Sequence, residues 1–511
     1  MDFIKNFPFF SIMLSMFSGI VTSMLPRRAA KWLNSAMITV VFLLSLTVLW
    51  YTNKTGTFFI YMMGHFPAPY GNEIRAGSLE GLMASFFSII MLFSVVGGHK
   101  KLDEEVAFDR HNLYYILVNM MLSSLLALVY TNDLFTAYVF VEINTISACG
   151  LIMIRRIGRT YVAAVRYMIM SLVGSGLLLL GISMLYDITG HLLMSDIKLQ
   201  ITKIAASGQY HVPLQVTITL ICVGLAIKSA LFPFHAWLPD AYGYSTVSSA
   251  AILSSLVSKG YIFLLIKIIY RVVGYDAFYI TGILNVFYVF GLLGMIVGSV
   301  RAIRENDIRR MIAYSSIAQI GYIYMGFGLA TQFGMEASIF QIISHGATKS
   351  LLFIAAIGLT DVSGYSRKFT DLTGSAYRNR IAGIGFLVGS LSMVGVPMFS
   401  GFISKLLFAE AGILVVGKSI PTLVVLAISV ILNAIYFMKT CIRIYTPVDS
   451  KEEAEILASG GVSKKQAAPE DTGMRISYAL TIVGFILVNL VLGCMSQPFL
   501  DIIHQGLGVF S

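Results

Sequence analysis

Residues 221–270 read ICVGLAIKSALFPFHAWLPDAYGYSTVSSAAILSSLVSKGYIFLLIKIIY. Lys228 and Lys259 fall inside two separate apolar segments of this stretch, with Pro233, His235 and Pro239 between them. A lysine at mid-bilayer costs about 2.5–3.5 kcal/mol even on a lenient insertion scale. Keeping two of them so close in sequence implies partners, a pathway, or both.

The surroundings are those of a membrane protein. The 511-residue chain is 57% hydrophobic and only 12% charged, about half the charged fraction of a soluble domain. Runs of about 20 apolar residues, enough to cross roughly 30 Å of hydrocarbon, recur from end to end. Fourteen are expected, within 7–25, 32–50, 79–97, 112–130, 134–154, 163–186, 214–233, 247–270, 276–300, 308–329, 335–360, 381–411, 419–445 and 475–499. Of the 36 Lys and Arg residues, six are set apart as intramembrane; of the rest, 23 belong to odd-numbered loops and the span ends that flank them, and seven to the other side. The positive-inside rule therefore assigns the odd loops to the cytoplasm and both termini to the outer side. The net charge of +10 reports orientation and gives no reason to expect nucleic-acid binding. The mixed-charge loop KKLDEEVAFDR and residues 450–474 read as solvated connectors or docking places for a soluble partner. Residues 188–213 alternate at helical spacing and are expected along the outer interface.

The six intramembrane cations are Lys228, Lys259, Lys267, Lys349, Lys405 and Lys439. Lys267 and Lys439 lie near helix ends, where they are expected to snorkel to the headgroups. Glu142 is the one carboxylate well inside the first seven spans, and pairing with Lys228 is economical. Approach and withdrawal of Glu142 would hold and release a proton toward Lys259; a static pair fixing helix packing is the alternative. His345 and Lys349, four residues apart, share one helical face. His235 sits at the FPFHAW turn, as a relay member or as a structural hydrogen-bonding group.

Two spans carry breakers. Pro233 follows Lys228 in span 7, whereas in span 12 Gly395, Pro397 and Gly401 precede Lys405. Paired interrupted helices in two halves point to inverted-repeat transporters. The expected fold is all-α integral membrane, about 14 helices, with inverted five-helix repeats in spans 4–8 and 9–13 and broken helices 7 and 12. The expected divisions are 1–111, 112–271, 272–446 and 447–511. The four cysteines are isolated, and neither a metal-ligand cluster nor a cofactor motif is present in the sequence, so no bound cofactor or metal is expected.

The segments KSALFPFHAWLPDAY, VSKGYIFLL, DIRRMIAYSSIAQIGYI, SHGATKSLLF and VGVPMFSGFISKLLF resemble the antiporter-like membrane subunits shared by respiratory complex I, membrane-bound hydrogenases and Mrp-type cation/proton antiporters. The cap GHFPAPYG is more similar to the Mrp and hydrogenase branch. The resemblance implies a relay of Glu142, Lys228, Lys259, His345, Lys349 and Lys405. It also implies neighbouring membrane subunits, a redox arm with iron–sulfur proteins, transported protons or Na+, surrounding lipid and a prokaryotic cell membrane. The alternative is a Mrp-type Na+/H+ antiporter subunit without a redox arm. No lateral helix is expected after the last span.

Overall fold

A backbone crossing hydrocarbon has no water to bond, so each apolar run must close its own hydrogen bonds as a helix. The computed structural model describes residues 2–67, 70–207, 210–447 and 472–510. The chain begins with α1 (Phe7–Met24) and α2 (Arg27–Thr55), then the antiparallel hairpin β1 (Phe59–Met62) and β2 (Glu73–Ala76). There follow α3 (Ser78–Glu105), α4 (His111–Tyr130), α5 (Leu134–Met153), α6 (Gly158–Thr189), α7 (Met194–Ser207), α8 (His211–Lys228) and α9 (Leu238–Tyr244). Next come α10 (Val247–Ile252), α11 (Ser258–Lys267), α12 (Tyr275–Ile280), α13 (Ile283–Arg304), α14 (Ile308–Gly328) and α15 (Gln332–Asp361). The chain continues through α16 (Ser375–Arg378), α17 (Arg380–Val394), α18 (Ser400–Ile413), α19 (Ser419–Tyr445), α20 (Thr472–Cys494) and α21 (Ser496–Phe510).

Among the described residues, 12 helices are long and apolar enough to cross a membrane. The two other expected positions are occupied by α14, with its Arg309, Arg310 and Gln319, and by the interrupted pair α17 and α18. The 27-residue span Val247–Val273 is buried throughout and the 30-residue α15 is buried except near its ends, so they form the axis around which the others pack. Small residues let helices approach closely. A Cβ on Gly174 would lie 2.9 Å from the Gly224 carbonyl oxygen, and one on Gly224 would lie 2.6 Å from that of Gly174. This pair seats α8 against α6 and sets the position of Lys228.

The loops sort onto two faces. Arg27 pairs with Asp103, Lys101 with Asp361 (2.5 Å), Arg155 and Arg309 with Glu105 (3.6 and 3.5 Å), and Arg166 and Arg310 with Asp240. These ties join odd loops to one another. The carboxylates of KKLDEEVAFDR are thus engaged within the chain rather than only solvated, and Glu105 also accepts from the Val247 amide at 2.9 Å. On the opposite face the hairpin meets α5 and the segment before α7, through Asn132 N to Glu73 O and Leu134 N to Leu192 O, both 2.9 Å. Residues 450–471 lie outside the described residues.

One expectation from sequence is corrected. Lys267 does not snorkel: it is fully buried and donates to the carbonyls of Leu128, Val129 and Thr131, completing the end of α4. Those carbonyls have no partner one turn further on, and an ammonium there satisfies three at once. A short helix that was not anticipated follows the last span: α20 ends at Cys494, and α21 packs on α3 and α15 of the same chain. The buried Arg271 pairs with Glu80 and donates to the Phe510 carbonyl at 3.2 Å; Arg75 donates to that of Val509 at 2.7 Å. Two arginines thus close the carbonyl end of α21.

Candidate functional site

Helix α8 stops at Lys228, and the chain re-enters helix only at Leu238. Ala230, at φ 62°, turns the backbone out of the helix ahead of Pro233. The last carbonyls of a helix lack partners and carry partial negative charge, so the break presents Lys228 with a favourable end. Its Nζ lies 3.4 Å from Glu142 Oε1 and donates to Thr145 Oγ1 at 2.8 Å. Thr145 Oγ1 is in turn 3.3 Å from Tyr261 OH, and Ser175 donates to Glu142. The lysine side chain is fully buried, while Glu142 keeps 25% of its side chain exposed. The carboxylate therefore has both an ammonium and an opening to its surroundings. The pair is the one anticipated from sequence; Thr145, Ser175 and Tyr261 were not. Thr145 was findable, since it lies three residues after Glu142 on the same helical face.

Lys259 lies just after the π-helical segment Leu253–Val257, with a second, Ile268–Val273, following α11. Such widened turns re-aim carbonyls and frequently mark functional positions. The buried Lys259 ammonium donates to the Ser254 carbonyl. Helix α15 lies directly on this widened turn because Gly346 has no side chain: a Cβ there would sit 2.6 Å from the Phe86 ring and 3.2 Å from the Ser255 carbonyl oxygen. Ser350 Oγ joins Ser255 Oγ at 2.7 Å and Ser94 Oγ at 3.2 Å, tying α15 to the π turn and to α3. His345 is buried, and neither ring nitrogen has a hydrogen-bond partner among the described residues. Lys349, also buried, donates to the Ile312 carbonyl at 2.8 Å and to Ser315 of α14.

In the second interrupted span, α17 ends at Val394, Gly395 adopts φ 96°, and α18 starts at Ser400. Lys405 reaches back from α18 and donates to the Met393 carbonyl at 2.7 Å, with the Tyr322 ring 5.9 Å away. Breaker and lysine occur in opposite order in the two spans. Only Lys405 rests on a carbonyl at the end of the first half-helix; the Lys228 ammonium turns instead to Glu142 and Thr145 of α5. Among the described residues Glu142 alone forms an ion pair with these four lysines; Lys259, Lys349 and Lys405 rest on carbonyls and hydroxyls.

His235 stacks on Phe232 at 5.4 Å within the break and stands apart from this file. Lys439 is exposed and lines a cavity of about 480 Å³ on the basic face, with Glu305, Lys368, Tyr436 and Arg443. Among the described residues no group of three His, Cys, Asp or Glu side chains is placed to hold a metal. Cys149, Cys222 and Cys441 are buried and free; Cys494 is exposed.

A family model described as "NADH:quinone oxidoreductase/Mrp antiporter, TM" matches residues 131–434. The "NADH-quinone oxidoreductase subunit N" of Desulforudis audaxviator is 32% identical over 385 residues, 75% of each chain. A "putative antiporter subunit" of Staphylococcus epidermidis is 31% identical over 368 residues, 69% of this chain and 70% of its own. Two solved structures share the fold at a TM-score of 0.85. One is a chain of the membrane-bound sulfane sulfur reductase, an archaeal respiratory membrane complex, at 21% identity over 100% of this chain and 98% of its own. The other is a chain of the Mrp complex from Dietzia, at 23% identity over 99% of this chain and 97% of its own.

Proposed function

Because the chain belongs to the NADH:quinone oxidoreductase/Mrp antiporter transmembrane family, we propose that it is the proton-translocating, antiporter-like subunit of a redox-driven membrane oxidoreductase. The observation that carries this reading is the file of four lysines beside two helix breaks and a π turn, Lys228, Lys259 and Lys349 buried and Lys405 partly buried, with a single carboxylate 3.4 Å from the first. A packing role would call for balanced pairs. A file with one mobile counter-charge suits a relay, because each ammonium can pass its proton to a hydroxyl or a neighbour without leaving an uncompensated anion.

Glu142 approaching Lys228 holds the proton there. Its withdrawal sends the proton by Thr145 and Tyr261 toward Lys259, and onward past His345 to Lys349 and then Lys405. The cavity lined by Tyr436 and Lys439 is the natural water-filled approach to Lys349, whose ammonium lies 5.8 Å from the ring of the adjacent Phe437. On this reading residues 112–271 and 272–446 are the two half-channels, 1–111 their flank and external cap, and 447–511 the final loop and closing helices. The fourteen-span count, the inverted repeats and a cytoplasmic basic face belong to the same proposal. On this reading electrons travel in iron–sulfur partners.

The second reading, a Mrp-type Na+/H+ antiporter subunit, is favoured by the antiporter relative and by the Mrp-complex chain sharing the fold. Purifying the native complex and identifying the co-migrating chains decides between them. Iron–sulfur or nickel-bearing partners support the redox reading; a set of membrane subunits alone overturns it in favour of the antiporter.

A further inference from the structure

Helix α20 lies outside both five-helix halves, yet it sends one polar side chain into the centre of the second. Asn489 is fully buried, and its Nδ2 donates to the Phe485 carbonyl at 3.0 Å. A carbonyl can only accept, so this bond fixes the amide with Oδ1 turned inward. That oxygen accepts from Thr348 Oγ1 at 2.7 Å, Ser400 Oγ at 3.0 Å and Ser392 Oγ at 3.2 Å. Ser344 Oγ extends the cluster by donating to Ser400 Oγ at 2.9 Å. The positions matter more than the number of bonds. Ser344 and Thr348 immediately precede His345 and Lys349, Ser392 precedes the Met393 carbonyl that holds Lys405, and Ser400 opens α18.

We infer that Asn489 is a positioning residue of the relay, holding hydroxyls of α15, α17 and α18 in one hydrogen-bonded file between the His345–Lys349 turn and the break at Lys405. An amide oxygen has two lone pairs, and three hydroxyls compete for them. Each hydroxyl also has somewhere else to turn: Thr348 to the Ser344 carbonyl at 2.8 Å, and Ser392 to Ser400 at 3.3 Å or Thr348 at 3.2 Å. Several proton arrangements are therefore open at little cost, which is what a hydrogen-bonded wire requires and what a purely structural clamp does not. The amide does not titrate; it orders the groups that carry the proton. The inference rests on the proton-translocating reading above.

The test uses the purified native complex in proteoliposomes, with proton uptake driven by a potassium diffusion potential and read by an internal pH dye. Asn489→Leu keeps the approximate shape but removes the acceptor, and uptake should fall by about tenfold or more, the rate equivalent of one lost hydrogen bond. Asn489→Asp keeps the acceptor and adds a group that ionises. It should translocate at low pH and lose activity on raising the pH through a midpoint that the wild type lacks, as a fixed carboxylate traps the proton. Lys228→Ala is run alongside. Normal uptake in Asn489→Leu with Lys228→Ala inactive overturns the role of Asn489 and leaves the function standing. Normal uptake in Lys228→Ala overturns both. If Asn489→Leu does not assemble, the Asn489→Asp profile decides: a new midpoint supports the inference, and a profile matching wild type overturns it.

Discussion

Neutralising Glu142 while leaving its shape, by Glu142→Gln, removes the counter-charge 3.4 Å from the Lys228 ammonium. At an effective dielectric of about 20 the attraction over that distance is about 5 kcal/mol. Glu142 is a quarter exposed, so solvent screening reduces the usable part to about 2–3 kcal/mol. Lys228 keeps Thr145 and the Tyr261 ring, so the protein should still insert and assemble. What is lost is the difference between the held and released states of the proton. A loss of 2–3 kcal/mol on the controlling step slows it by about 30- to 150-fold. Proton uptake by proteoliposomes containing the native complex, normalised to complex recovered after size exclusion, should fall by about two orders of magnitude. Lys228→Ala should do the same, because it removes the other member of the pair, and it should still assemble because Glu142 retains Ser175 and its opening to the surroundings. A well-assembled Lys228→Ala or Glu142→Gln complex that translocates at the wild-type rate would refute the relay and leave a static pair.

Lys405→Arg keeps a cation against the Met393 carbonyl but makes the site a permanent charge, since guanidinium does not release its proton in working conditions. Uptake should fall nearly as far as in Lys405→Ala, and a normal rate in Lys405→Arg would reduce Lys405 to fixed charge. Glu80→Gln leaves Arg271 buried without its anion, which should cost about 3–5 kcal/mol and expose the end of α21 to proteolysis; unchanged thermal stability would show that the pair contributes nothing to the closure. Cysteines placed at Asp109 and Tyr70, exposed on the basic and the hairpin faces, should react with an impermeant maleimide from the cytoplasm and from outside respectively. Reaction of both from one side would refute the alternating topology.

Burial of a charge in an apolar run is legible in sequence, because its cost does not depend on where neighbouring helices lie. Lys228, Lys259, Lys349 and Lys405 stood out for that reason, and Glu142 did so as the one carboxylate well inside the first seven spans. Loop charge and breaker positions are likewise local properties, so the spans, the two faces and the interruptions at Pro233 and Pro397 could be read directly. The nature of each lysine's partner could not. Lys267 looked like a side chain free to reach the headgroups, yet in the fold it donates to three carbonyls at and just beyond the end of α4. The reach of a side chain says nothing about which helix end will be packed beside it. Glu80 and Arg271 lie 191 residues apart, and no periodicity relates them. Asn489 was invisible for the same reason: a single amide in an apolar span reads as ordinary packing until the hydroxyls of α15, α17 and α18 meet at its oxygen. Sequence determined which groups are too costly to bury alone; tertiary structure decided what compensates them, because hydrogen bonds and ion pairs act over a few ångströms between elements whose approach is set by glycines, breaks and π turns.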